Sequence, residues 1–145
     1  MYEEIISIIS DAGEGVDFAP FGEGISVEWI DLAEKRLGVE LPTSYKWWLK
    51  NYSGGEIYGE EIYSIYGIDF DNVVGGDVVY INELSRKQNS EFNNKIIISE
   101  SNDEIFYFDL SEGLVNEEYP VYEYYTKAKY AECFLGFLKR RILEN

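Results

Sequence analysis

Carboxylates are the only abundant reactive side chains in this sequence: 28 Asp and Glu stand against 12 Lys and Arg, with no His and a single Cys. Two carboxyls can cleave a glycosidic bond when they lie about 5 to 9.5 Å apart and one has a raised pKa. With 28 acids in 145 residues such pairs arise by chance, and no spacing singles one out as a catalytic dyad. The lack of His removes the commonest general acid or base near neutral pH and the commonest zinc ligand. Cys133 sits beside Phe134 with nothing to activate it, which suits a buried structural thiol better than a nucleophile. Alone, it can close no intramolecular disulfide and build no Cys/His zinc site, which fits a reducing cytosol. The run Asp69-Phe-Asp71-Asn-Val-Val-Gly-Gly-Asp77 has the opening of a calcium loop. However, Val73, Val74 and Tyr80 stand where such a loop needs a side-chain ligand, a glycine and a closing Glu. Gly13-Glu-Gly15 fails as a dinucleotide fingerprint, because Phe18 replaces the third glycine and no strand precedes it. No enzyme, metal or cofactor is expected. The chemistry that remains is binding.

The arrangement of charge says what could be bound. Residues 1–34 hold nine acids, 51–85 seven and 96–126 eight, and none of these segments contains Lys or Arg. The net charge of -16 repels phosphate backbones and anionic membranes, so neither nucleic acid nor membrane is an expected partner, whereas a basic protein is. The acidic segments are also rich in Tyr, a residue favoured at the centre of interfaces. The candidate partner-binding residues are therefore Glu56, Glu60, Glu61, Asp69, Asp71 and Asp77, with Tyr58, Tyr63 and Tyr66 as anchors and Glu100, Asp103 and Glu104 on a hairpin turn as the next candidates. The competing reading is a charged coat that keeps the chain soluble, with core packing claiming about half of the rings by strand alternation.

The elements that must position these groups follow from periodicity. Ile5, Ile6, Ile8 and Ile9 mark a helix over 2–12, and the glycines of 13–25 mark a loop. Ser26 is placed to cap a helix carrying Trp29, Ile30, Ala33 and Leu37 that ends at Gly38. Pro42 opens a second helix with Tyr45, Trp48, Leu49 and Tyr52 on one face. The two form a hairpin that buries Trp29, Leu37, Leu41, Trp48 and Leu49. Strands are read at 62–66, 68–70, 95–99, 104–110 and 119–125, with helices over 78–88 and 129–143. This order predicts an α+β fold with helices on one face of a largely antiparallel sheet, in one domain spanning 1–145. Met1-Tyr-Glu-Glu-Ile-Ile6 carries acids where an export signal carries bases, and no apolar run is long enough to span a bilayer, so a cytoplasmic location is expected.

The block Ile25 to Gly55 resembles the signature of the SUKH superfamily. Its marks are Glu34 ahead of Leu37-Gly38, the Leu41-Pro42 step, Tyr45 and Leu49 on the following helix, and the closing Gly54-Gly55. Ile62 to Ile68, the strands around Ile97 and Tyr107, Pro120-Val121 and the helix Phe134 to Leu138 are similar to the rest of that domain, so the resemblance covers nearly the whole chain. It implies a SUKH-like α+β fold. For small bacterial members it implies an immunity protein: a non-catalytic antitoxin that neutralises a cognate toxin, often a nuclease. The chain is similar in particular to the immunity partners of Bacillus LXG polymorphic toxins. Fungal relatives that act as scaffolds in cell-wall regulation supply the alternative, a regulatory interaction module.

Overall fold

The computed structural model describes residues 2–144. In chain order the elements are α1 (Tyr2–Asp11), a 3-10 turn (Gly13–Gly15), β1 (Val16–Phe18), α2 (Val27–Leu37), α3 (Thr43–Tyr52), β2 (Gly55–Ile57) and β3 (Glu60–Ile62). There follow α4 (Val78–Gln88), a second 3-10 turn (Ser90–Asn94), β4 (Lys95–Glu100), β5 (Ile105–Asp109), β6 (Val121–Glu123), β7 (Lys129–Ala131) and α5 (Phe134–Leu143). The seven strands form one antiparallel sheet in sequential order, β1 to β7, which with the five helices makes the α+β fold expected.

The hairpin of α2 and α3 forms as its sequence directs. Gly38 ends α2 in the left-handed region at φ 73°, where a side chain would be strained. Glu34 accepts a hydrogen bond from the Leu41 N–H at 2.7 Å, so the glutamate of the family-like block ties the end of α2 to the start of the next segment. The start of α3 is capped from a distance. Glu118, in the β5–β6 loop, accepts from the Ser44 N–H at 2.9 Å and from the Ser44 hydroxyl at 2.7 Å. Leu37, Leu41, Trp48 and Leu49 are buried as expected. Trp29 is only half-buried, packing at the margin of the main core with its ring meeting Phe70 edge-on at 5.6 Å.

Helix packing concentrates on one face of the sheet. Tyr45, Trp48, Phe108 and Phe134 form its centre, with Tyr45 and Phe134 at 4.9 Å and Trp48 and Phe134 at 5.3 Å between ring centroids. α4 instead occupies the edge of β4. Asn82 accepts from the Ile97 N–H at 2.7 Å and donates to the Ile97 carbonyl at 3.0 Å, and Arg86, one turn later, donates to the Lys95 carbonyl at 3.2 Å. These two side chains satisfy strand-edge groups that a neighbouring strand would otherwise bond.

That arrangement explains the first departure from the expected elements. The alternation in 62–66 reads as a strand, yet β3 ends at Ile62, because the edge of β4 it would continue along is taken by α4. Ser64 makes only an isolated bridge to Asp77, and 68–70 is a loop in which Asp69 turns the chain by accepting from the Asp71 N–H at 3.0 Å. The second departure is at the C-terminal end. Residues 129–131 pair with β6 as β7, Tyr130 packing on Phe106 at 4.7 Å, and the helical repeat starts only at Phe134. Loop 13–25 likewise contains the three-residue β1. Ser26 holds the position before α2 without a side-chain capping bond, Pro42 precedes α3 rather than entering it, and Cys133 is half-exposed rather than buried.

Glu123 is a buried acid at the end of β6. Burial pushes its carboxyl up, but the N–H groups of Ile105, Tyr125 and Thr126 outweigh that and hold it below the ordinary carboxylate range. A folded-state pKa below the unfolded one stabilises the fold above the unfolded value, and the contribution is lost as pH falls through the folded value. Glu123→Gln is therefore expected to melt below the parent at pH 7, with the gap closing as pH falls through and below the ordinary carboxylate range. A gap of constant size across that range would show that the charge of Glu123 contributes nothing.

Candidate functional site

Register and alternation decide which of the acids stand together. Asp17 on β1 pairs with Glu56 on β2, which pairs with Glu61 on β3, so these three carboxylates occupy one face of the sheet in a line across the strands. Ile62 pairs with Ser99, which sets Glu61 opposite Glu100 and extends the line to β4. Glu100 in turn pairs with Ile105. This is the outer face, away from the main core, since Val16, Ile57 and Ile62 point the other way into the helices. Four acids thus cross four adjacent strands. At about 4.8 Å per strand the line is roughly 14 Å long.

Tyrosines flank the line. Tyr63 donates from its hydroxyl to Glu100 at 2.9 Å, and Tyr66 donates to Glu61. Burial and then the neighbouring Glu100 carboxylate push the Tyr63 phenol well above its usual range. Burial, followed by the hydrogen bond to Glu61, pushes Tyr66 up to about 12. Both rings therefore act as neutral donors that orient carboxylates. Gly76 donates its N–H to the Tyr66 hydroxyl at 2.9 Å and lies so close to Glu61 that a Cβ there would strike the carboxylate. Farther along the same face, Phe92, Ile97 and Tyr107 form a small second core, edged by Tyr122, Tyr124 and Ile105.

The remaining sequence-level candidates lie elsewhere. Glu60 is the neighbour of Glu61 in sequence but faces the helical side, where it and Glu104 share Arg141 at 3.0 and 3.4 Å. Asp69 shapes its own loop, and Asp71 pairs with Arg36 of α2 at 2.7 Å. Asp103 is exposed on the β4–β5 turn. Tyr58 sits in the β2–β3 turn with its hydroxyl donating to the Ile142 carbonyl of α5 at 2.9 Å. Asp77 cannot meet a partner: it is wholly buried and caps α4. Of the twelve, Glu56, Glu61, Tyr63, Tyr66 and Glu100 stand together. Asp17, Tyr122 and Tyr124 belong to the same face; Asp17 is hidden in the sequence because 13–25 reads as loop, whereas Tyr122 and Tyr124 are among the rings of the acidic segment 96–126, whose strands do not declare which side is covered.

The ion pairs make the outer line distinctive. Asp71, Glu83, Glu34, Glu132, Glu4, Glu144, Glu60 and Glu104 are the acids paired with Lys or Arg among the described residues, and none is in the line. No group of His, Cys, Asp or Glu able to hold a metal ion, and no helix long and apolar enough to cross a membrane, occurs among the described residues.

A seven-stranded antiparallel sheet with its strands in sequential order, backed by helices, and with an acidic line free of Lys and Arg on its outer side, defines the class: an α+β domain with a charged sheet face. The family model described as SUKH_6, SMI1-KNR4 cell-wall, matches residues 27–138, and the chain belongs to the SUKH family. Domains of this family are commonly immunity proteins and are generally non-catalytic.

Proposed function

We propose that this chain is a cytoplasmic immunity protein that binds and neutralises a cognate secreted or contact-delivered toxin of the LXG type, without catalysis and with residues 1–145 acting as one domain. The observation that carries this reading is the family match over 27–138. The net charge of -16 supports the choice of a nuclease as the toxin, because a nuclease presents a basic cleft for its phosphate substrate and a polyanionic domain would compete for it. The alternative, a non-catalytic scaffold, keeps the binding face and drops the toxin.

The test is coexpression with the toxin domain encoded beside this gene. Cells making the toxin domain alone should die, and cells making both should grow. Glu56→Lys/Glu61→Lys should slow association and flatten its salt dependence, because steering acts on the encounter step. Death in the presence of both proteins, or the absence of any adjoining toxin gene, would leave the scaffold reading in its place.

A further inference from the structure

We propose that the free edge of β1 takes an extended segment of a partner protein as an eighth strand, held by main-chain hydrogen bonds to Val16 and Phe18. The proposal goes beyond the reading above and rests on it only in taking the partner to be a protein.

The strand order leaves the sheet open at β1 and at β7, and the two edges differ. At β7 the register shift bulges the strand at Tyr130, and Arg140 donates to the Tyr130 carbonyl at 2.9 Å, which are devices that keep another strand from pairing. The edge of β4 beyond β3 is likewise taken by Asn82 and Arg86. On β1 the Gly15 carbonyl accepts from the Tyr58 N–H at 2.7 Å and the Ala19 N–H donates to the Gly54 carbonyl at 3.3 Å. Residues 15, 17 and 19 therefore bond toward β2, and Val16 and Phe18 present their main chain to the open side. The Val16 N–H turns back to the Gly13 carbonyl. The Val16 carbonyl and both the N–H and the carbonyl of Phe18 meet no partner among the described residues. Two acceptors and a donor along one edge are the groups that strand addition uses.

Three further observations commit the occupant. The edge is preformed, since Phe18 packs edge-on against Trp48 and Tyr52 at 5.3 and 5.6 Å, which lowers the ordering cost of binding. A groove of about 630 Å³ runs from Asp17 and Phe18 over Gly54 and Gly55 to the buried Ser64, whose hydroxyl has no partner among the described residues. It offers room and a polar group to side chains on the outer face of an incoming strand. A second copy of this chain fits badly, because the antiparallel register that pairs all of β1 with itself sets Asp17 opposite Asp17 of the second copy and joins two chains of net charge -16.

The probe is the neutral peptide Ac-Thr-Thr-Val-Thr-Thr-NH₂, titrated into the full chain. Its Val is placed to pair with Phe18 on the inner face, and its lack of charge separates strand pairing from attraction to the acids. In the free chain the Phe18 amide is expected to exchange at least about tenfold faster than those of Asp17 and Ala19, which bond to β2. Amide ¹H–¹⁵N shifts on adding the peptide should centre on residues 16–19. With a Kd of about 1 mM, about 5 mM peptide should slow exchange at Phe18 about sixfold, the factor being one plus the ratio of peptide to Kd. N-methylation of the peptide's Val removes the N–H that would bond the Phe18 carbonyl and should weaken binding at least about tenfold. A Phe18 amide as protected as Asp17 in the free chain would overturn the proposal, because the edge would then be covered by a second copy or by the chain itself. Equal binding of the N-methylated peptide, or shifts centred away from β1, would overturn it as well. Because the peptide is not the toxin, such a failure leaves the immunity reading standing, and a failed survival assay leaves the peptide result standing.

Discussion

Trp48→Ala is expected to cost about 3 to 5 kcal/mol of stability, the range for removing a large buried ring. The indole is wholly buried between Tyr45, Phe134 and Phe18, with centroids at 5.9, 5.3 and 5.3 Å, and so joins α3 to α5 and to β1. Alanine would leave a void lined by rigid rings that cannot collapse into it, which places the cost toward the upper end. At about 3 °C per kcal/mol for a chain of this size, the melting temperature should fall by about 10 °C or more. Trp48→Phe provides the contrast. The indole N–H is buried and finds no acceptor among the described residues, so phenylalanine removes an unsatisfied donor along with some volume and should lose less than about 1.5 kcal/mol. Equal losses for Ala and Phe would mean that packing volume is not what the site depends on.

The same residues show what the sequence made legible. Trp48 was identifiable as core because Tyr45, Trp48, Leu49 and Tyr52 repeat at helical spacing, a pattern that survives any tertiary arrangement. β1, β2, β3, β6 and β7 are three residues each, too short to establish an alternation, and they exist because neighbours supply their hydrogen bonds. Reading Ile62 to Tyr66 as one strand failed for a reason no local window contains, namely that Asn82 and Arg86 of α4 hold the edge β3 would have needed. The candidate site shows the same division. Glu60 and Glu61 are consecutive and so had to fall on opposite faces once β3 was a strand, a consequence readable from period alone. That Asp17 joins Glu56 required pairing register, and that Glu60 and Glu104 converge on Arg141 required the path of α5. Charge counts found the acidic segments; only topology separated the acids that are paired from those that are not.

Asp77 is where composition misleads most, and its replacement by alanine carries the other large expected effect, a loss of about 3 kcal/mol. Counted as one acid in an acidic segment, it looks like surface. In the fold its Oδ1 accepts from the N–H groups of Val79 and Tyr80 at 2.9 and 3.1 Å, and its Oδ2 accepts from the Tyr66 N–H at 3.0 Å. The first pair caps α4 and places a negative charge at the positive end of the helix dipole. The third holds the loop carrying Tyr66 against that helix. Alanine would strand these donors in or near the interior, where each unsatisfied group costs about 1 to 3 kcal/mol, offset in part by water reaching the half-buried ones. Asp77→Asn keeps one acceptor oxygen for the cap but presents an amide N–H₂ to the Tyr66 N–H, so it should recover the helix cap and not the loop, losing about 1 to 2 kcal/mol. Denaturant unfolding of the three proteins measures the series, and amide exchange at Tyr66, Val79 and Tyr80 separates its two halves. Faster exchange at Tyr66 alone is expected in the Asn variant, and at all three positions in the Ala variant. An alanine variant as stable as the parent would return Asp77 to the surface acids and make its burial in the fold untenable.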